Sequence, residues 1–179
     1  MKKQEHFKKN TTKLHIGCGK DIKQGFVNLD SLNLPGVDIV HDLNKFPWPF
    51  KDNTFDYVLA VSVLEHLDNL IRTMEEIHRI SKKNAIIEIR VPHFESLGAF
   101  VDPTHKIFFS YYTFDYFTKG FDYNFYSKAR FEILKRRVIY NKFFFIVQWV
   151  SNLFPKFHEV ILRKFFPVQD LIFKLKVIK

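Results

Sequence analysis

Cysteine is nearly missing from this chain: Cys18 is the only one in 179 residues, so no intrachain disulfide can form and nothing points to a disulfide-held secreted fold. There is no apolar segment of the roughly 20 residues that a membrane-spanning helix needs. The most apolar run is only Phe143 to Val150. The first ten residues are polar and basic with no apolar stretch behind them, unlike a secretory leader. These absences set the expectation of a cytoplasmic protein. Length for a second full domain is lacking too, since domains run to roughly 100 to 200 residues. Residues 1–12 read as a polar lead-in and 13–179 as one domain, without repeats or low-complexity segments.

What is present is a globular balance of 46% hydrophobic and 26% charged residues, with enough apolar material for a sizeable core. The aromatic set is lopsided, with 22 Phe against 7 Tyr and 2 Trp, and much of the Phe follows Phe94. Lys and Arg number 28 against 19 acids, a net +9 that favours an anionic partner such as nucleic acid, anionic lipid or a phosphorylated substrate.

Along the chain, Lys13 to Ile16 predicts a strand that ends in the tight turn Gly17, Cys18 and Gly19. Phe26 to Leu29, closed by Asp30, and Val37 to Val40, closed by Asp42, predict two more strands, and Tyr57 to Val61 suits a buried parallel strand. The period then changes: Leu67, Leu70, Ile71, Met74, Ile77 and Ile80 fall at helical spacing, with Asp68 or Asn69 placed to cap the start and Lys82 and Lys83 at the carbonyl end. Ala85 to Val91 completes a strand, helix, strand unit with a right-handed crossover. After a loop from Pro92 to Thr104 come a helix near Thr113 to Phe117, a strand from Phe131 to Tyr140, two aromatic helical stretches broken at Pro155, and a last strand from Val168 to Ile178. Alternating elements of this kind predict an α/β sheet with helices on both faces.

Ligands of open parallel sheets bind beyond the carboxyl ends of the strands, and polar residues collect there. Gly17, Cys18 and Gly19 follow the first strand, Asp30 and Asp42 end the second and third, and Ser62, Glu65 and His66 follow the fourth. A nucleoside would use such a set: glycines admit a polar tail, one carboxylate accepts the two ribose hydroxyls, and another accepts an amino group. Each piece alone is weak, since a lone GxG is more often a turn and a strand-ending Asp often a helix cap. Their order along the chain carries the argument. A dinucleotide dehydrogenase fits poorly, because Ile22 stands where the third glycine of its fingerprint belongs and Asp30 comes early.

LHIGCGKDIKQGFVNLD, VDIVHDLN, PFKDNTFDYVLAVSVLEHL, VPHF and DPTHK resemble the class I S-adenosylmethionine-dependent methyltransferases. The likeness is to the small type 11-like members that often belong with surface-polysaccharide biosynthesis, and it extends from about Lys13 to Lys179. It implies a Rossmann-like, mostly parallel seven-stranded sheet with an antiparallel last strand, and S-adenosylmethionine as cofactor. By the same resemblance Gly17, Cys18 and Gly19 pass beside the methionyl part, Asp30 binds the ribose diol, Asp42 with Leu43 borders the adenine, and Ser62 lines the opposite wall. Two positions depart from the pattern: His15 stands where an acid is common, and Gly19 to Asp30 is too short for a crossover helix, so that link must be a turn or loop.

Methyl transfer asks a protein to align the acceptor and, for a hydroxyl or amine, to remove a proton. The candidates are His93, Asp102, His105, Lys106, Glu65 and His66, with His105 expected as general base or acceptor ligand and Asp102 orienting it. In the family the Glu65 and His66 pair looks at least partly structural. No ligand spacing demands a metal from His93, Asp102 and His105, so none is assigned. The Phe-rich stretch from Phe143 to Phe166 is expected to be core helices covering the sheet, with a membrane-facing patch as the alternative. The expected activity is methyl transfer to a small-molecule or glycan acceptor. Against it stand a non-catalytic cofactor-binding or scaffold role and an RNA methyltransferase. Nucleic acid is the less favoured partner because no RNA-binding module is appended, and VSVLEHL replaces an NPPY-like motif.

Overall fold

A computed structural model describes residues 12–179; residues 1–11, nearly all of the expected polar lead-in, lie outside the described residues. Seven strands, β1 (Lys13–Ile16), β2 (Val27–Asp30), β3 (Ile39–Val40), β4 (Phe55–Val61), β5 (Ser81–Pro92), β6 (Phe131–Ile139) and β7 (Asp170–Val177), form one sheet in the order β3-β2-β1-β4-β5-β7-β6. The first five are parallel, and β7 lies antiparallel between β5 and β6. The sequential order reverses between β1 and β4, which places the switch point of the sheet just past Ile16 and Val61.

Between β4 and β5 runs α1 (Leu70–Ile80). Asn69 caps it by accepting the Arg72 N–H at 2.9 Å, while Met74, Ile77 and Ile80 are fully buried against the sheet. The helix stops at Ile80 because β5 begins at once with Ser81. Lys82 and Lys83 therefore open a strand rather than close a helix, and Lys82 pairs with Asp56 at 2.9 Å. His78 and Arg79 take the place at the carbonyl end.

One face of the sheet is dry. Register aligns Ile16, Ala60, Ile89 and Phe173 across four strands and Leu14, Val58, Ile87 and Leu175 beside them, all fully buried in a core that includes α1, Phe109, Phe114 and Phe117. The other face carries Tyr57, Leu59, Val61, Ile86 and Glu88, half-buried, with Arg90 exposed. The second face is thus less completely covered than the first. The links from Gly17 to Phe26 and from Ser31 to Asp38 are too short to lay crossover helices there.

The aromatic third also departs from expectation. The segment Thr113–Phe117 is a 3₁₀ turn that sends Phe114 and Phe117 into the core. By contrast α3 (Phe145–Leu153) and α4 (Pro155–Val160), which follow the short α2 (Gly98–Val101), leave most of their aromatics in solvent. Phe143 is 77% exposed, Trp149 66% and Phe165 72%. These helices are not core cover: α3 is tied to β6 through Asn152 and Gln148, which accept the N–H groups of Val138 and Tyr140.

Candidate active site

β1 runs out into a turn in which Gly17 and Gly19 hold φ of +60° and +50°. A Cβ on Gly17 would stand 2.2 Å from Val63 Cγ2, so the backbone lies against the segment after β4 and only glycine fits. Cys18 N–H donates to the Leu29 carbonyl at 3.1 Å and Gly19 N–H to Asp30 Oδ2 at 2.7 Å, which folds the turn onto the end of β2. Asp30 Oδ1 accepts Leu32 N–H at 3.0 Å. A carboxylate has about four acceptor sites, so Asp30 keeps one on each oxygen for a neighbouring diol. Across the turn, Ser62 is held at φ of +48°, a strained backbone for a non-glycine and of a kind that clusters at ligand sites.

Gly17, Asp30, Asp42, Leu43 and Ser62 line one cavity of about 280 Å³, close to the roughly 300 Å³ at which small-molecule sites begin. Ser31, Asn44, Val63, His66 and Leu67 complete its wall. Of the expected cofactor residues, Cys18 and Gly19 are not in the lining. Cys18 is buried, and desolvation followed by the Asp30 charge pushes its thiol up to about 11. The Leu43 wall is braced from behind: its carbonyl accepts Trp48 Nε1–H at 3.0 Å, and Trp48 N–H donates to Glu76, which Arg79 also holds. His15 is not in the lining either; it is buried edge-on to Phe26, and burial lowers its pKa.

At the mouth of this cavity the 3₁₀ turn Leu64–His66 meets the loop after β5. The Glu65 carbonyl accepts the N–H groups of Lys106 and Ile107 at 2.7 and 3.1 Å, and Lys106 Nζ reaches Asp68 at 2.7 Å, so the two segments are stapled together. The rings of His66 and His105 meet edge to face with centroids 4.6 Å apart. Thr104 donates its hydroxyl to Asp102 at 2.7 Å, and His66 Nδ1 lies 2.8 Å from the same hydroxyl oxygen. The threonine proton being committed, His66 Nδ1 is the donor. His105 Nδ1 donates to the Ala99 carbonyl at 3.0 Å. Burial raises the Glu65 carboxyl to about 7 and lowers the pKa of His66, while hydrogen bonds from Thr104 lower that of Asp102.

The family model described as Methyltransferase domain matches residues 7–89. An uncharacterized protein of Methanocaldococcus jannaschii is 36% identical over 109 residues, 54% of this chain, and the chain spans about half of that relative's length, 47%. Among solved structures, a SAM dependent methyltransferase from Archaeoglobus fulgidus is similar with a TM-score of 0.62 at 20% identity, over 92% of this chain and 85% of that one. The chain has the class I S-adenosylmethionine-dependent methyltransferase fold. Phosphoethanolamine N-methyltransferase 2 of Haemonchus contortus, solved in complex with S-adenosyl-L-methionine, is similar over 93% of this chain and 48% of its own, at a TM-score of 0.57 and 12% identity.

Within this methyltransferase fold the expected catalytic trio is split. His105 and Asp102 lie in the cluster at the cavity mouth, but His93 is fully buried with its Nε2 facing Glu159, 3.9 Å away, beside His158. Burial lowers the His93 pKa to about 4. Asp102 does not hold His105 as expected: its carboxylate is 4.0 Å from His105 Nε2, beyond hydrogen-bond reach, and it acts on His66 through Thr104 instead. Sequence reading missed Thr104, because its role depends on two segments 38 residues apart coming together.

Proposed function

We propose that the protein binds S-adenosylmethionine in this cavity and transfers its methyl group to an oxygen of a small-molecule or glycan acceptor. The observation that carries the reading is the convergence of Gly17, Asp30, Asp42, Leu43 and Ser62 on one cavity at the switch point, with His66 in its wall. Bound there, the cofactor supplies a methyl group already activated on a sulfonium. Asp30 accepts the ribose hydroxyls, Leu43 and Asp42 border the base, and the Gly17 turn lets the polar tail approach the backbone. The histidine cluster handles the acceptor. Its Nε2 atoms carry lone pairs, so the hydroxyl proton passes to a ring nitrogen as the oxygen takes the methyl group. The resulting His66 imidazolium is steadied through Thr104 by Asp102. Incubation with methyl-labelled cofactor and a library of sugars and lipid-linked sugars tests this: label in a hydroxyl-bearing acceptor supports it, and tight cofactor binding without transfer to any acceptor would instead favour a scaffold role.

The acceptor belongs to a surface-polysaccharide pathway and is lipid-linked, and the protein meets an anionic bilayer from the cytoplasmic side. No described helix is long and apolar enough to cross a membrane. Support comes from the exposed Phe145, Ile146, Trp149 and Phe157 on α3 and α4, with exposed Lys142, Lys156 and Lys164 around them. Aromatic side chains among bases suit an interfacial helix. Co-sedimentation with phosphatidylglycerol vesicles should fall about tenfold in a Phe145→Ser, Trp149→Ser double variant, and equal sedimentation of the two proteins would remove the bilayer from the account.

A further inference from the structure

At the cavity mouth the side chains of Glu65, His66 and His105 come together. The Ala99 carbonyl can only accept, so His105 carries its proton on Nδ1 and leaves Nε2 with a lone pair. Thr104 has spent its hydroxyl proton on Asp102, so His66 likewise carries its proton on Nδ1 and leaves Nε2 bare. The third residue, Glu65, is only 1% exposed, and its Oε2 is buried with no hydrogen-bond partner among the described residues. One ligand atom from each of the three side chains lies within 4.8 Å of the other two. Two imidazoles that each keep a lone pair stand beside this acid, and a buried unpaired carboxylate oxygen is expensive. Something positive belongs between them.

We propose that Glu65, His66 and His105 bind a divalent transition-metal cation of the Zn²⁺ or Co²⁺ type at the mouth of the cavity. Two imidazoles and one carboxylate form the three-ligand set of an open zinc site, with the remaining coordination position available to solvent or substrate. The outer partners are in place as such sites require: Ala99 fixes the ring of His105, and the Asp102 to Thr104 link fixes that of His66. Zinc–ligand bonds of about 2.0–2.2 Å set neighbouring donors roughly 3.3 Å apart, so the widest pair has to close by at most about 1.5 Å, within reach of side-chain rotation. His66 also lines the cavity, so the cation would sit beside the place where methyl transfer is proposed.

The consequence for catalysis rests on the methyltransferase reading above. With the cation in place, the acceptor hydroxyl binds it directly, the histidines hold the cation instead of the proton, and the acidified hydroxyl releases its proton to solvent before its oxygen takes the methyl group. Without the cation, Nε2 receives the proton as described above.

The test is a titration of chelator-treated full-length protein with Co²⁺, followed by visible absorption, and with Zn²⁺, followed by calorimetry. One equivalent should bind, with the cobalt bands of a site containing nitrogen ligands. Glu65→Gln and His105→Asn should each weaken binding about 10- to 100-fold while circular dichroism and S-adenosylhomocysteine binding stay unchanged. His158→Asn, in the other buried histidine cluster, should leave the titration unaltered. Absence of binding in the wild type would mean that a shared proton satisfies the three acceptors, and would overturn the cation site without touching the cofactor cleft. Equal binding by wild type and both ligand variants would place the cation elsewhere and overturn it too. A loss of S-adenosylhomocysteine binding in wild type would count against the methyltransferase reading, independently of the metal result.

Discussion

The two sides of the cleft solve the same problem, holding polar groups at the edge of a dry sheet, in different ways. On the β1–β2 side the backbone does the work: Asp30 accepts the N–H groups of Gly19 and Leu32, and Gly17 is wedged against Val63 where no side chain fits. On the β4–β5 side the work falls to side chains from two distant segments, with Asp102, Thr104 and His66 in a row and one buried oxygen of Glu65, Oε2, without a partner among the described residues. A carboxylate already held in place by backbone N–H groups has a fixed preference for further donors such as ribose hydroxyls. One made of imidazoles and a buried acid can change its proton or ion content, which suits a site where a proton has to leave. Under the proposed function, the contrast puts binding on one side and chemistry on the other.

Substitutions can break that division. The largest effect is expected at Asp30→Ala, which removes the two charge-assisted hydrogen bonds proposed to the ribose. At about 1.5–3 kcal/mol each, their loss lowers cofactor affinity on the order of 10²- to 10⁴-fold by calorimetry. Circular dichroism should stay native. Next comes His66→Asn, which should lower kcat for a methyl acceptor on the order of 10²-fold while cofactor affinity stays within about threefold. If His66→Asn instead cost as much affinity as Asp30→Ala, the two sides would not be functionally separate.

A smaller effect lies away from the cleft and sharpens the comparison by showing what a merely buried histidine does. His93 faces Glu159, with His158 and Arg163 nearby, and its folded pKa of about 4 lies below the ordinary 6.5. Between those values the unfolded chain binds a proton that the folded chain does not, so stability is lost as pH falls from about 6.5 toward 4. The loss amounts to about 2–3 kcal/mol at most. Thermal melts across this range should show it, and His93→Phe should flatten the slope without changing cofactor affinity. An unchanged slope would mean that other groups carry the acid sensitivity.

How much of this was legible in the sequence follows from how local each feature is. The ends of β1 and the cap at Asn69 depend on neighbouring residues, and both stand where the pattern of Gly17, Asn69 and the Met74, Ile77, Ile80 stripe puts them. Asp30, Asp42 and Ser62 were readable because strand ends in a parallel sheet share one edge, so sequence order alone brings them together. The Thr104 link and the diversion of Asp102 from His105 to His66 were not readable, since both depend on which ring the DPTHK loop meets across 38 residues. The exposed Phe145 and Trp149 were misread as core for a related reason: periodicity reports an apolar stripe, not whether the protein has anything to lay over it. The half-buried second face is a middle case, because the short links are visible in the sequence but their effect on burial needs the register of the sheet.

The central claim is that this cleft holds a sulfur nucleoside. The most direct test is calorimetric titration of the purified protein with S-adenosylmethionine and S-adenosylhomocysteine, with NADH and Asp30→Ala as controls. The account predicts binding of both sulfur nucleosides in the micromolar range, no heat from NADH, and loss of binding in the variant. A folded protein that binds neither nucleoside, or binds them equally well without the Asp30 carboxylate, would contradict it.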